Sequence, residues 1–309
     1  MSFNLASLTE YVDQLKLPLI KKSVLQGRTA SLISVQPDIK HSSSINIINS
    51  TLVGQAGGCG WSPTGSTAIT QRDITVCPIK FEEALCLNDL EAYFLGKSMK
   101  PGSYNTEIPF EGIFAEEKAE QINGIIDDIL WKGNTVTGTG NLALCDGFNR
   151  LIDTLSASTV NGNTSSATAI TATNIVDLID RMAAVVPTDV INVPDLHLFV
   201  GYEVYRLYAR ALRDANLFHY NGQEDQGQDF SQMIPGTNIR IISVRGLNGT
   251  NRMVLTPASN LYMGTDLLND YESFQIFYFE AEDEVRFRSK FKIGAQIAFP
   301  QFIVNFKLA

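Results

Sequence analysis

Between residues 109 and 131 the apolar side chains fall on one helical stripe: Phe110, Ile113, Phe114, Ile122, Ile125, Ile126, Ile129 and Leu130. Glu111, Glu116 and Glu117 occupy the first turns, where negative charge suits the helix dipole. Pro109 suits a helix start and Gly133 a stop, so the pattern predicts a long helix over 110–131. Residues 5–26 read as a helical arm, with Leu5, Leu8, Val12 and Leu15 at helical spacing and a break at Pro18. A further helix is expected in "TNIVDLIDRMAAVV", with Ile175, Ile179, Met182 and Val186 on one side and Asn174 or Thr173 as its cap. "LHLFV" reads as a buried strand, "YEVYRLYARALRDANLF" as a helix, and "NIRIISV" and "RMVLTP" as strands around a "GLNGTN" turn.

Elsewhere the period is two. "SSINIINSTLV" and "STAITQRDITVC" flank the turn-rich "GQAGGCGWSPTG", which predicts a hairpin. Arms of roughly ten residues at about 3.3 Å each reach about 30 Å. Few of these side chains are core formers, and a lone two-stranded ribbon is marginal in water. The ribbon must protrude or lie on another surface. Trp61 at its tip is an exposed or folded-back aromatic on one reading. On the other it is an anchor against a neighbouring subunit. In "EAEDEVRFRSKFK" the alternation puts Glu280, Glu282, Glu284, Arg286, Arg288, Lys290 and Lys292 on one face. Ala281, Asp283, Val285, Phe287, Ser289, Phe291 and Ile293 take the other. The charged face, acid at one end and base at the other, meets either solvent or an oppositely charged patch on another subunit.

Candidate chemistry is sparse. "GTGNLA" matches G-x-G-x-x-A, but a helix precedes it where a dinucleotide site needs a strand, and no acid follows at the required distance. "GQAGGCG" lacks the ending of a phosphate loop. His41, His197 and His219 lie in separate elements, so no metal set is expected. "EDQGQD" has acids without calcium-loop spacing, and Asp127 and Asp128 point to different helix faces. Cys145 and His197 are not read as a nucleophile and base. Cys59, Cys77, Cys86 and Cys145 lack a CxxC pair and read as free thiols. No cofactor or metal is implied, and no enzymatic activity is expected.

Charge narrows the partners. The 309-residue chain carries a formal net charge of −9, with no basic run. Sequence-specific nucleic-acid recognition needs a basic footprint and is therefore not expected. There is no apolar stretch of membrane-spanning length and no signal-peptide pattern at the start, so the chain is expected to stay in the cytoplasm where it is made.

The order of these parts resembles the major capsid proteins of tailed bacteriophages. The most telling stretch is "LWKGNTVTGTGNLALCDGFNRLI", a helix end, a glycine-rich bend, then N-L and G-F. The helix "ATNIVDLIDRMAAVV", the pair "LHLFVGYEVYRLYARAL", the segment "IPGTNIRIISVRGLNGTNRMVLTPASNLYMGTDL" and the closing "EVRFRSKFKIGAQIAFPQFIVNF" follow in the family's order. The resemblance implies an α+β fold of the Hong Kong 97 type, or Johnson fold. It implies an N-terminal arm at 1–40 and an extended β-hairpin loop at 41–80. A peripheral domain would comprise 81–137 and 262–309, with its spine helix at 110–131, and an axial domain 138–261. Glycines of the bend would then supply backbone angles that other residues resist.

The implied function is self-assembly as hexamers and pentamers into an icosahedral head that encloses double-stranded DNA without reading its sequence. Portal, scaffold or decoration proteins are further implied partners, and the virion is the implied location. Some relatives cross-link through a loop lysine. Here residues 41–79 contain none, with only Lys40 and Lys80 at the base, so covalent cross-linking is not expected. No long scaffolding segment is expected before the arm. The alternatives are an encapsulin-type compartment of the same fold or, in a different class, a nucleotide-dependent enzyme built around "GTGNLA".

Overall fold

The computed structural model describes residues 27–55, 57, 59, 64–86, 110–215, 231–266, 273–279, 281–282 and 284–309. The expected arm helix at 5–26 lies outside them, as do Trp61, His219 and the "EDQGQD" segment. The described chain starts at a short helix, α1 (Arg28–Leu32).

The long helix is α2, Phe110–Lys132. Ala119, Ile122, Ile126, Ile129, Leu130 and Trp131 are buried along it, while Glu116, Glu117, Glu120 and Gln121 face solvent. The side chains of Phe110, Ile113 and Phe114 lie outside the described residues. Each fully buried aliphatic or aromatic side chain contributes about 1.5–3 kcal/mol of transfer free energy. The stripe therefore anchors α2 against the rest of the main core. Gly133 ends the helix, its amide donating to Ile129 O at 2.9 Å.

Five strands form the first sheet: β1 (Ser34–Gln36), β10 (Leu261–Thr265), β12 (Glu284–Ile297), β11 (Ser273–Phe279) and β4 (Cys77–Cys86). The 14-residue β12 is its spine. Along one edge it pairs antiparallel with β4, from Glu284↔Cys86 to Ile293↔Cys77. It also pairs with β11 and then with β10. From Glu284 to Ile293 burial alternates residue by residue as the sequence pattern requires. Val285, Phe287, Phe291 and Ile293 point into the core shared with α2. The alternation does not extend back through Glu282, contrary to the expectation. Residues 281 and 282 turn between β11 and β12, and Glu280 lies outside the described residues.

The second sheet runs β5 (Val160–Asn161), β13 (Val304–Phe306), β9 (Met253–Pro257), β6 (Leu196–Val200), β8 (Arg240–Ser243), β7 (Ser231–Met233). Two amphipathic helices cover it. They are α4 (Ile175–Ala184) and α5 (Tyr202–Asp214), which follow α3 (Phe148–Thr154) in the chain. Strands β6 and β8 are parallel, so the chain must cross over between them, and α5 lies in that connection. Asn174 stands at the N-cap of α4 but does not cap it. Its Oδ1 accepts from the Thr171 amide at 2.8 Å instead.

The predicted hairpin is β2 (Ser42–Thr51) and β3 (Ser66–Thr75), antiparallel from Ser42↔Thr75 to Thr51↔Ser66. It forms a sheet of its own. Ile39, Ile74 and Val76 pack at its root. Farther out, Ile48 and Ile69 face each other across the strands at 64% and 69% exposure, so the distal ribbon lacks a core of its own.

One expectation is overturned here. Cys77 and Cys145 are not free thiols; they form a disulfide across 68 residues, with Cα atoms 5.8 Å apart. Cys59 is free and exposed, and the Cys86 side chain lies outside the described residues.

Candidate assembly surfaces

The glycine-rich bend between α2 and α3 is built to satisfy itself. Asn134 Oδ1 accepts from the amides of Val136 and Thr137, at 2.9 and 3.1 Å. Asp146 Oδ1 accepts from the amide and hydroxyl of Thr135, at 2.8 and 2.9 Å. "GNLA" is a short 3-10 turn, with α2 where a dinucleotide site would place a strand. The expected role of the glycines needs correction. In this bend only Gly140 has a positive φ, at 57°. Gly133 and Gly147 are required by close approach: a side chain on Gly133 would meet Cys145 O and Ile129 O, and one on Gly147 would meet Ile129 O and Leu130 O.

The Cys145 sulfur is committed to Cys77, so it is not paired with His197 as nucleophile and base. His197 sits on β6 edge-on to Phe199, and burial lowers its pKa. Among the described residues no group of His, Cys, Asp and Glu is placed to hold a metal ion. None of their helices is long and apolar enough to cross a membrane.

The charged strand face is real from Glu284 onward, and much of it is matched within the chain. Arg286 pairs with Glu282 in the turn and with Glu284 at 3.5 Å, and its guanidinium lies 3.9 Å from the centroid of the Phe279 ring. Arg288 pairs with Glu82 of β4 at 2.8 Å. Lys80 and Arg288 together hold the Glu82 carboxyl below its ordinary range, Lys80 most strongly. Lys290 stands directly opposite Lys80, a like-charge pair that Glu82 partly relieves from 2.7 Å. Glu82, Ala84, Phe277, Arg286 and Arg288 line a depression of about 340 Å³ on this face.

Sequence reasoning missed β4, which supplies Glu82 and Lys80 to this surface. The signal was present. Ile79, Phe81 and Leu85 alternate with Lys80, Glu82 and Ala84. Glu83 interrupts the apolar side, and the structure accounts for it. Glu83 meets Lys118 of α2 at 2.5 Å, an ion pair where the sheet packs on the helix.

A second unanticipated site is Asp127, 5% exposed on α2. Its Oδ2 accepts from the Gly246 amide at 2.9 Å. Trp131 Nε1 donates to the hydroxyl of Thr29, beside the carboxylate, at 2.9 Å. Burial raises the Asp127 pKa, and Thr29 and the Gly246 amide partly offset the rise. Asp128 faces outward to Lys132 and Arg245, as its place on the other helix face requires. The pair joins α1, α2 and the turn after β8.

No protein-family model matches the sequence, and no curated protein sequence does either. Solved structures do match. The procapsid of satellite phage P4 superposes with a TM-score of 0.62 at 12% identity, covering 99% of this chain and 98% of that one. This chain has the Hong Kong 97-type fold of phage capsid proteins. The capsid of Myoviridae phage XM1 matches at 16% identity and TM-score 0.53, over 89% of this chain and 88% of that one. A virus-like particle from Pyrococcus furiosus matches at 13% identity and TM-score 0.52, over 96% and 100%.

Proposed function

We propose that the protein is the shell subunit of a tailed-phage head. It assembles as hexamers and pentamers around double-stranded DNA, and has no catalytic role. The observation that carries this is the fold match over nearly the whole chain to a phage procapsid structure. The ribbon supports it, because a ribbon about 30 Å long with an exposed isoleucine pair at its middle needs a covering surface. The net charge of −9 suits a container that must not adhere to a polyanion. The proposed division is an arm at 1–40, a loop at 41–80, a peripheral domain at 81–137 and 262–309, and an axial domain at 138–261. Portal, scaffold or decoration proteins would be partners, with assembly in the host cytoplasm.

We place subunit contacts at the ribbon, Trp61 included, and on the face bearing Glu280, Glu282, Glu284, Arg286, Arg288 and Lys290. The Lys80–Lys290 corner is the part of that face where an incoming carboxylate relieves an existing repulsion. The match to a virus-like particle favours a second reading, an encapsulin-type compartment that holds protein cargo. Sedimentation of the purified chain tests the shared claim, since a shell sediments far ahead of a 34.0 kDa monomer. Material sedimenting only as monomer or dimer contradicts both readings. Packaged DNA in particles from infected cells supports the head; protein cargo without DNA supports the compartment.

A further inference from the structure

The Cys77–Cys145 bond joins the first residue of β4, at the root of the ribbon, to the bend that leads from α2 into α3. Each cysteine is positioned by contacts that do not need the bond. Cys77 is paired with Ile293 at the end of a ten-residue ladder between β4 and β12. Cys145 belongs to a bend fixed to the end of α2, where Gly147 donates to Gly133 O at 2.9 Å and the Cys145 carbonyl lies against Gly133. The Cα separation of 5.8 Å falls in the range of about 4.4–6.8 Å that a disulfide spans. The fold therefore delivers two thiols to bonding distance. Cys145 is 4% exposed and Cys77 is half-buried, so a small oxidant reaches the pair through Cys77.

We propose that Cys77 and Cys145 form an oxidative staple that closes after folding and locks the ribbon root to the exit of the long helix. This strengthens each subunit from within, in a chain whose loop carries no lysine for cross-links between subunits. The reaction is thiol–disulfide exchange with a small disulfide such as oxidised glutathione. The Cys77 thiolate attacks one sulfur of the oxidant and releases one glutathione thiolate. The Cys145 thiolate then attacks the Cys77 sulfur of the mixed disulfide and releases the second. Two protein thiols are oxidised, one glutathione disulfide is reduced to two thiols, and the two protons move to the released thiolates. The bond itself does not rest on the shell reading; its use in reinforcing a head does.

The test uses the full chain, folded under reducing conditions and then exposed to oxidised glutathione. Alkylation in denaturant counts its thiols, of which the sequence has four. The staple predicts four modified cysteines before oxidation and at most two after, since the exposed Cys59 can itself take up glutathione, with 77 joined to 145 in the peptide map. It also predicts a melting temperature raised by roughly 5 °C or more on oxidation. The Cys77→Ser/Cys145→Ser double variant should fold, and its melting temperature should not respond to oxidation. Four alkylated cysteines after oxidation, a bond to Cys59 or Cys86 instead, or an unchanged melting temperature overturns the proposal. Particle size, read separately, reports on the shell reading alone.

Discussion

The backbone amide of Gly246 donates to the carboxylate of Asp127 at 2.9 Å, joining residues 119 positions apart. This bond ties the long helix to the turn that leaves the second sheet. Gly246 is needed there because a side chain would strike the Trp131 ring and the Asp127 carbonyl. Arg245 adds a second tie, its guanidinium reaching Asp128 at 3.3 Å directly over Gly124. The two sheets are thus held to one helix by a few polar contacts as well as by the shared core.

Asp127→Ala should destabilise the folded subunit by about 1–3 kcal/mol, because it strands the buried Gly246 amide. Asp127→Asn keeps an acceptor and should cost less. Burial raises the Asp127 pKa, so its contribution is fully present below the ordinary carboxylate range and is lost as pH rises through the raised value. The Asn variant should therefore gain stability relative to wild type between acid and neutral pH. Denaturant unfolding across that range checks it, and a slope of the opposite sign would show that the carboxylate is held ionised.

The bend separates two uses of glycine. Gly140→Ala meets open space but forces alanine to a φ of 57°, at a cost of about 1 kcal/mol. Gly147→Ala places its methyl 2.5 Å from Ile129 O and 2.7 Å from Leu130 O, both backbone atoms that cannot swing aside. It should cost about 3 kcal/mol. Thermal unfolding of the two variants gives the order, and a larger loss at position 140 would refute it.

Arg286→Glu with Arg288→Glu tests the charged face. Exposed ion pairs contribute little to folding, so the isolated subunit should stay folded although Glu82, Glu282 and Glu284 lose their arginine partners, Glu82 keeping Lys80. At a subunit contact the same reversal repeats at every copy, so assembly at low salt should fail. At 1 M salt screening shortens the range to about 3 Å, and assembly should partly return. Normal assembly at low salt would place this face in solvent.

Deleting residues 54–66 should leave the melting temperature of the subunit almost unchanged. Leu52 and Val53 beside the deletion are exposed, and the ribbon is rooted at Ile39, Ile74 and Val76. Closed particles should no longer form. If the deleted chain assembled normally, the ribbon would not bind a neighbour.

What could be read in advance was local. The stripe from Ile122 to Leu130 and the alternation from Glu284 to Ile293 each encode their own element, and the structure keeps both. What could not be read was long-range. Cys77 and Cys145 are bonded across 68 residues, and no spacing rule announces that. The partner of Arg288 is Glu82, which the register of β4 on β12 selects. Asp127 looked like one of two adjacent helix acids, and only packing on Thr29 and Gly246 makes it a buried junction. The bend glycines suggested unusual backbone angles, yet at Gly133 and Gly147 the crowding comes from carbonyls of a helix end that the fold brings close.

If copies of this chain close into a shell, electron cryo-microscopy of the purified protein will show it. The expected images are closed icosahedral particles whose capsomers show sixfold and fivefold arrangements, with each subunit's ribbon lying on a neighbour. Discrete monomers or dimers under conditions where the subunit is folded, or particles in which the ribbon touches only its own chain, would contradict it.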